Sequence, residues 1–222
     1  MKFNSIFCFG KESPMKIITV SREFGSGGRK LGEAIADYLG FDYYDREIIT
    51  AIAKNQELEE AFVANIMDKS LRTTVSRKFK ANVGADEVAE ISHRDLLLEE
   101  QRVLEEIAKK GRNCVIVGRH ADFRLKDYDP FRIFVCADLD ARINNCLYYE
   151  ETNGAETIKQ IAKNIQKIDK IRSHNNFAVT GYEWGDPSNY DLVINTTSWG
   201  EFESMAPVIS AVAEKWFENH EG

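Results

Sequence analysis

The chain lacks the motifs of the commonest hydrolytic chemistries. Its four histidines are scattered, with no HExxH pair, no Ser-His-Asp ordering and no GxSxG elbow. Metal-dependent hydrolysis and triad chemistry therefore find no support. The four cysteines (Cys8, Cys114, Cys136, Cys146) form no CxxC pair and no metal-ligand spacing. Cys114 and Cys136 sit in apolar strand-like runs, so they are expected as buried thiols in a reducing, cytoplasmic setting. Basic residues are in deficit, 29 Lys and Arg against 36 Asp and Glu, for a net charge of −7. That balance argues against a general nucleic-acid binder, though not against a small anion held in a local basic pocket. No apolar run approaches the ~20 residues a membrane helix needs, so no membrane partner is expected.

The 222 residues are 43% hydrophobic and 29% charged, the proportions of an ordinary globular domain with a substantial core. The opening "MKFNSIFCFGKESP" is too short in its apolar part for a signal peptide and has no small-residue cleavage site. Residues 1–14 are expected to be a flexible extension or an upstream start-site artefact, and 15–222 a single domain. No internal repeat or low-complexity tract is evident.

Along the chain, "KIITVS" (16–21), "NCVIVG" (113–118), "RIFVCA" (132–137) and "YDLVINT" (190–196) read as buried strands. Between them lie helical patterns. Leu31, Ala34, Ile35, Tyr38 and Leu39 share one face before Gly40. A long helix is predicted from about His93 to Lys110, and another from an Asp138 cap to about Tyr149. Ile158, Ile161, Ala162, Ile165, Ile168 and Ile171 form an apolar face, and Phe202 to Trp216 mark a closing amphipathic helix. "FDYYDREIITAIAK" reads as a short extended piece followed by a helix that Asp45 can cap. Residues 68–92 are polar, basic from Arg72 to Lys80 and without period, so an inserted or mobile segment is expected. Strands alternating with helices predict a parallel sheet covered on both faces.

One stretch carries the strongest chemical signal: "SREFGSGGRKLGEAIA" (21–36). A standard P-loop reads GxxxxGK followed by Ser or Thr. With Gly27 as its second glycine, the first glycine becomes Arg22, the lysine becomes Gly28 and the hydroxyl becomes Arg29. Gly25, Ser26, Gly27 and Gly28 can still turn backbone N–H groups toward one point at a helix N-terminus, with Arg22, Arg29 and Lys30 around it. The bland alternative is a tight strand-to-helix turn with surface cations. Losing a charge-assisted hydrogen bond worth roughly 1.5–3 kcal/mol would cost on the order of 10–100-fold unless Arg29 or Lys30 compensates.

Two further clusters have two readings each. Arg119 follows Gly118 at the carboxyl end of a buried strand, where ligands bind in open sheets; it can equally cap a helix. Lys167, Lys170 and Arg172 crowd a helix end before an Asn-rich turn (Asn175, Asn176). They suit either a lid over a polyphosphate or simple complementarity to a helix C-terminus. Tyr182 and Trp184 are candidates to pack under that lid or to stack on a base.

In order and spacing, "ITVSREFGSGGRKLG", "YYDREII", "VIVGR" and "WGDPSNYDLVINT" resemble the cytidylate kinase-like family, relatives of bacterial cytidylate kinase. The likeness covers nearly the whole chain from Met15. It implies a three-layer α/β/α P-loop kinase fold, with a monophosphate-binding insertion at about 45–92 and a lid at about 150–180. It also implies ATP and Mg2+ as cofactors, and nucleotides as the partners. By that likeness residues 25–30 hold the ATP phosphates, and Asp45, Arg46 and Arg119 hold the acceptor. Arg29, Lys30, Lys170 and Arg172 supply charge to the transferring phosphoryl group. The implied activity is phosphorylation of a nucleoside monophosphate, CMP or dCMP first. The missing lysine and hydroxyl leave two alternatives, a nucleotide-binding protein with little turnover and a kinase of another small anion. The metal ligands are unassigned. The lid is also short of arginine, with Ser173, His174, Asn175 and Asn176 where more would be expected.

Overall fold

The computed structural model describes residues 15–67, 74–80, 86–118, 120–149, 157–199 and 201–220. Its centre is β1 (Ile17–Arg22), whose apolar residues alternate between the two faces of a sheet. Ile17 packs with α2 (Arg46–Asn55), α3 (Glu60–Met67) and α4 (His93–Lys109) in one core. Ile18 and Val20 pack with α1 (Gly28–Leu39) and α8 (Ala206–His220) in the other. Both cores are built on β5 (Cys114–Val117) as well, with Cys114 and Ile116 facing one and Val115 and Val117 the other.

The sheet runs β2 (Asp42–Tyr44), β5, β1, β6 (Phe131–Cys136), β7 (Leu192–Asn195), and every neighbouring pair is parallel. The four predicted strands are all present. The short extended piece before Asp45 is a fifth, pairing Asp42 with Cys114 and Tyr44 with Ile116. The aperiodic segment contains two strands, β3 (Thr74–Lys80) and β4 (Asp86–Ser92), paired antiparallel in a sheet of their own. Residues 1–14, 68–73 and 81–85 lie outside the described residues.

After the short α5 (Ala121–Arg124), β6 leads into α6 (Leu139–Tyr148) and then α7 (Ile158–Thr180). The turn expected at Asn175 and Asn176 does not form, because α7 runs on through both. Asn176 Nδ2 donates to the carbonyl of Tyr182 at 3.1 Å and to Thr180 Oγ1 at 3.2 Å. Its amide is thus satisfied around the helix end rather than by breaking the helix. Gly181, at φ 79°, closes α7 with its N–H on the Phe177 carbonyl. Ile161 and Ile165 bury α7 against Ile143 and Cys146 of α6, beside Phe24.

Asp138 does precede α6 but makes no side-chain cap; its own N–H donates to Thr197 Oγ1 at 2.8 Å. Among the described residues no helix is long and apolar enough to cross a membrane.

Cys114 and Cys146 are buried thiols outside any disulfide, whereas Cys136 is only partly buried. Burial pushes the Cys114 thiol from its ordinary 9.0 up to about 12. The native state keeps this proton where the unfolded chain gives it up. The stability it contributes is therefore complete below about pH 9 and is lost as pH rises toward about 12. Native Cys114 should resist iodoacetamide at pH 8, measured by peptide mass spectrometry, and should become labelled on addition of urea.

Candidate active site

The stretch between β1 and α1 turns on two left-handed glycines, Gly25 at φ 77° and Gly27 at φ 79°. A β-carbon at Gly25 would sit 2.8 Å from the Arg142 carbonyl oxygen, and one at Gly27 would enter the Phe202 ring. Neither position has room for a side chain. Three successive carbonyls of this turn are held by side chains from distant parts of the chain. Arg142 Nε donates to Phe24 at 2.8 Å, Asn145 Nδ2 to Gly25 at 2.9 Å and Thr196 Oγ1 to Ser26 at 2.7 Å. In a planar trans peptide the N–H points opposite the carbonyl, so the amides of Gly25 and Gly27 are turned away from these anchors. The first amides of α1 have no intrahelical acceptor and add the positive end of the helix.

These groups border a cavity of about 400 Å³. It brings together Arg22, Gly25, Gly27, Gly28, Arg29, Lys30, Asp45, Arg46 and Arg172 from the sequence-predicted residues. Five of its lining side chains are cationic and four acidic, a local positive balance in a chain of net charge −7. Ser26 and Lys170 are not in the lining. Ser26 is buried, with its hydroxyl donated to the Glu23 carbonyl at 3.0 Å, and Lys170 is exposed on α7. Arg119 lies outside the described residues. Tyr182 and Trp184 do not line the cavity either. Tyr182 donates to the buried Asp122 at 3.2 Å, and Trp184 packs edge-on against Phe134 at 5.3 Å. Burial raises the Asp122 carboxyl above its ordinary range. His120 sits 3.4 Å from Glu100 as a hydrogen-bonded side chain of the scaffold.

The absent lysine has a steric explanation. A β-carbon at Gly28 would lie 2.6 Å from Arg22 Cβ and 3.1 Å from its Cγ, so Arg22 occupies the space beside the lysine position. The Arg22 guanidinium continues to Gly118, at the end of β5, and its Nη2 lies 3.5 Å from Asp45 Oδ1. Arg29 takes the other oxygen, with Nε 2.5 Å from Asp45 Oδ2. Asp45, only 3% exposed, is thus held by two guanidinium groups. It occupies the N-cap position of α2 but makes no side-chain cap; Glu47 Oε2 instead accepts its backbone N–H at 3.0 Å. Tyr43 seals this corner by donating its hydroxyl to the Arg29 carbonyl at 3.3 Å. Burial, and next the Asp45 charge, raise the Tyr43 phenol above its ordinary value and keep that proton in place.

On the opposite side, Arg172 Nη1 donates to the Arg22 carbonyl at 3.2 Å and its guanidinium lies 5.4 Å from the Phe24 ring centre. Lys30 reaches Glu33 at 3.4 Å along the exposed side of α1. Sequence reasoning missed Glu23, Phe24, Arg142, Asn145, Asp169 and Thr196. The contacts between residues 23–26 and the rest of the chain span 114 to 170 residues, and no local motif marks them. Arg22 for the first glycine and Gly28 for the lysine both stand in the sequence as departures from the standard loop, but their steric exchange shows only in the structure.

The glycine turn, the outward carbonyls and the clustered cations suit a run of phosphates. Direct metal ligation fits less well, because Arg29 stands at the hydroxyl position. Among the described residues no group of three His, Cys, Asp or Glu can hold a metal ion.

Fold and site together define a P-loop kinase-type phosphotransferase architecture, a three-layer α/β/α sandwich with its glycine turn after the first strand. Solved structures agree on that fold. An uncharacterized protein from Eubacterium ventriosum ATCC 27560 superposes with a TM-score of 0.65 at 20% identity, covering 90% of this chain and 99% of that one. A shikimate kinase from Bacteroides thetaiotaomicron gives a TM-score of 0.54 at 15% identity, covering 90% and 99%. In sequence, the profile of the cytidylate kinase-like family matches residues 17–198, and the chain belongs to that family. A cytidylate kinase of Pyrococcus horikoshii is 28% identical over 197 residues, 88% of each chain.

Adding a methyl group at Gly28 tests the steric exchange. Ala ordinarily favours a helix over Gly by roughly 1 kcal/mol, yet here it meets Arg22. Gly28→Ala is expected to weaken tripolyphosphate binding at least tenfold by calorimetry. In the Arg22→Ala, Gly28→Ala double variant, the second substitution should cost nothing further, the non-additivity expected of neighbours.

Proposed function

We propose that this protein transfers the γ-phosphoryl group of ATP to a nucleoside monophosphate, with CMP and dCMP the first acceptors to test. The observation that supports this reading is the single cavity uniting the glycine cradle, Arg22, Arg172 and Asp45. Phosphoryl transfer asks little covalent chemistry of a protein; it needs in-line positioning and fixed positive charge around the moving group. The amides of Gly25, Gly27 and the first turn of α1 would hold the donor phosphates. Arg22 stands beside the lysine position and would carry the lysine's charge. Its planar fork can grip two phosphate oxygens where an ammonium offers a point charge. Arg172, docked beside Arg22, would add charge from α7. ATP would bring Mg2+ held by its own phosphates and by water, a common arrangement for this hard, reluctantly dehydrated ion.

Arg29 has a different part from the one its position suggests. With Nε close to Asp45, at 2.5 Å against 3.5 Å for Arg22, it would serve the acceptor side of the cavity. Asp45 would present its carboxylate to the acceptor only as Arg22 and Arg29 turn to phosphate, and Arg46 lies next to it on α2. The double pairing of Asp45 also favours a second reading. A carboxylate already engaged by two cations suits a small anionic acceptor that binds to those cations rather than to the carboxylate.

A coupled assay with Mg-ATP across the nucleoside monophosphates and small carboxylate and phosphate acceptors separates these readings. Turnover on CMP or dCMP supports the first and turnover confined to a non-nucleotide anion the second. ATP binding without turnover on any acceptor would sink both in favour of a nucleotide-binding protein. Within an active enzyme, Arg22→Ala should lower kcat by roughly 10–100-fold, the loss of one charge-assisted hydrogen bond in the transition state. Arg29→Ala should act chiefly on the KM of the acceptor. Equal kcat losses in the two variants would return the lysine's part to Arg29.

A further inference from the structure

The N–H of Phe24 donates to Asp169 Oδ1 at 2.8 Å, a contact spanning 145 residues of sequence. The other Asp169 oxygen pairs with Arg142 Nη2. Arg142 in turn donates Nε to the Phe24 carbonyl at 2.8 Å, and its Nη1 lies 3.3 Å from Glu23 Oε2. Both backbone polar groups of Phe24 are therefore held by one ion pair, the amide by its acid and the carbonyl by its base. Arg142 is 7% exposed and the Asp169 side chain 17%, so the pair is well shielded from water.

We propose that Asp169 is the positioning residue of the phosphate loop. It does not line the cavity. It acts one residue before the left-handed Gly25, fixing the peptide that must turn before the cradle begins. Asp169 also sits one turn from Arg172 on α7, so the helix that supplies Arg172 shapes the loop that Arg172 serves. The neighbouring Lys170, which charge alone would single out, is exposed and off the site. The effect of α7 on phosphate binding is thus carried by an acid through the backbone, in addition to any cation it brings. This assignment rests on the proposed nucleotide reading only for the identity of the ligand.

The test combines hydrogen exchange with binding of inorganic tripolyphosphate to the full-length protein. Asp169→Ala is expected to speed exchange of the Phe24 amide roughly 10–100-fold and to weaken tripolyphosphate by a similar factor. Exchange in β5 should stay unchanged. Asp169→Asn keeps the shape and an acceptor oxygen for Phe24 but loses the charge on Arg142. It should fold if the alanine variant does not, and should recover part of both losses. The proposal is overturned if Phe24 exchange in Asp169→Ala, or in Asp169→Asn where the alanine variant does not fold, matches the parent. It is equally overturned if exchange rises while tripolyphosphate affinity holds. If the parent protein binds no tripolyphosphate, the nucleotide reading fails instead, and the exchange measurement alone decides whether Asp169 holds the loop.

Discussion

A backbone that binds an anion must show it N–H and hide C=O, and left alone a glycine-rich turn does neither. Here the constraint is met from outside the turn. Arg142 and Asn145 from α6 and Thr196 after β7 pull the carbonyls of residues 24 to 26 outward one after another. The glycines permit the curvature, but these three side chains select it from among the many conformations open to such a sequence. The small core between α6 and α7 carries two of these donors, and the sheet edge at β7 carries the third. In that sense this third core, beside Phe24, is the scaffold of a few peptide planes.

Electrostatics then divides the cavity into two sides. The buried Asp45 draws Arg22 and Arg29 to one wall, while Arg172 reaches over Phe24 from the other. Guanidinium groups held by a buried acid keep their charge and lose their wandering, so an arriving phosphate finds them partly oriented. The same pairing sets a competition, since phosphate oxygens and the Asp45 carboxylate seek the same donors. Breaking a buried ion pair one-sidedly is costly, commonly about 3–5 kcal/mol, whereas exchanging one anion for another is not. The arrangement thus suits a site that is filled by anions rather than opened to water.

Much of this was legible in the sequence. Short apolar runs placed β1, β5, β6 and β7, and period-3.6 patterns placed the main helices. Glycines in left-handed turns marked the ends at Gly40 and Gly111. What escaped has one physical cause, that the deciding partner is far away in sequence. Three residues such as Asp42–Tyr44 carry too short a pattern to declare a strand, and only pairing with β5 makes them one. Asn175 and Asn176 are the exception: α7 runs on through both and buries them, and Asn176 bonds Thr180 and Tyr182, four and six residues on. Asp45 reads as a helix cap until two arginines, 16 and 23 residues upstream, claim both its oxygens. The glycine turn was readable as a candidate anion site, but the course of its cations was not, since Arg22 and Arg29 differ only in where their side chains run.

The steric exclusion between Arg22 and the space over Gly28 has a consequence for how such a loop can change over time. A side chain gained at position 28 while Arg22 remains would collide with it, and an Arg22 lost first would leave the cradle without its nearest charge. If the loop binds phosphate as proposed, the arginine form and the lysine form would therefore be separated by a mutational valley that single substitutions do not cross. A lineage that entered this form would be expected to keep both residues together, and the pair would behave in inheritance as one character.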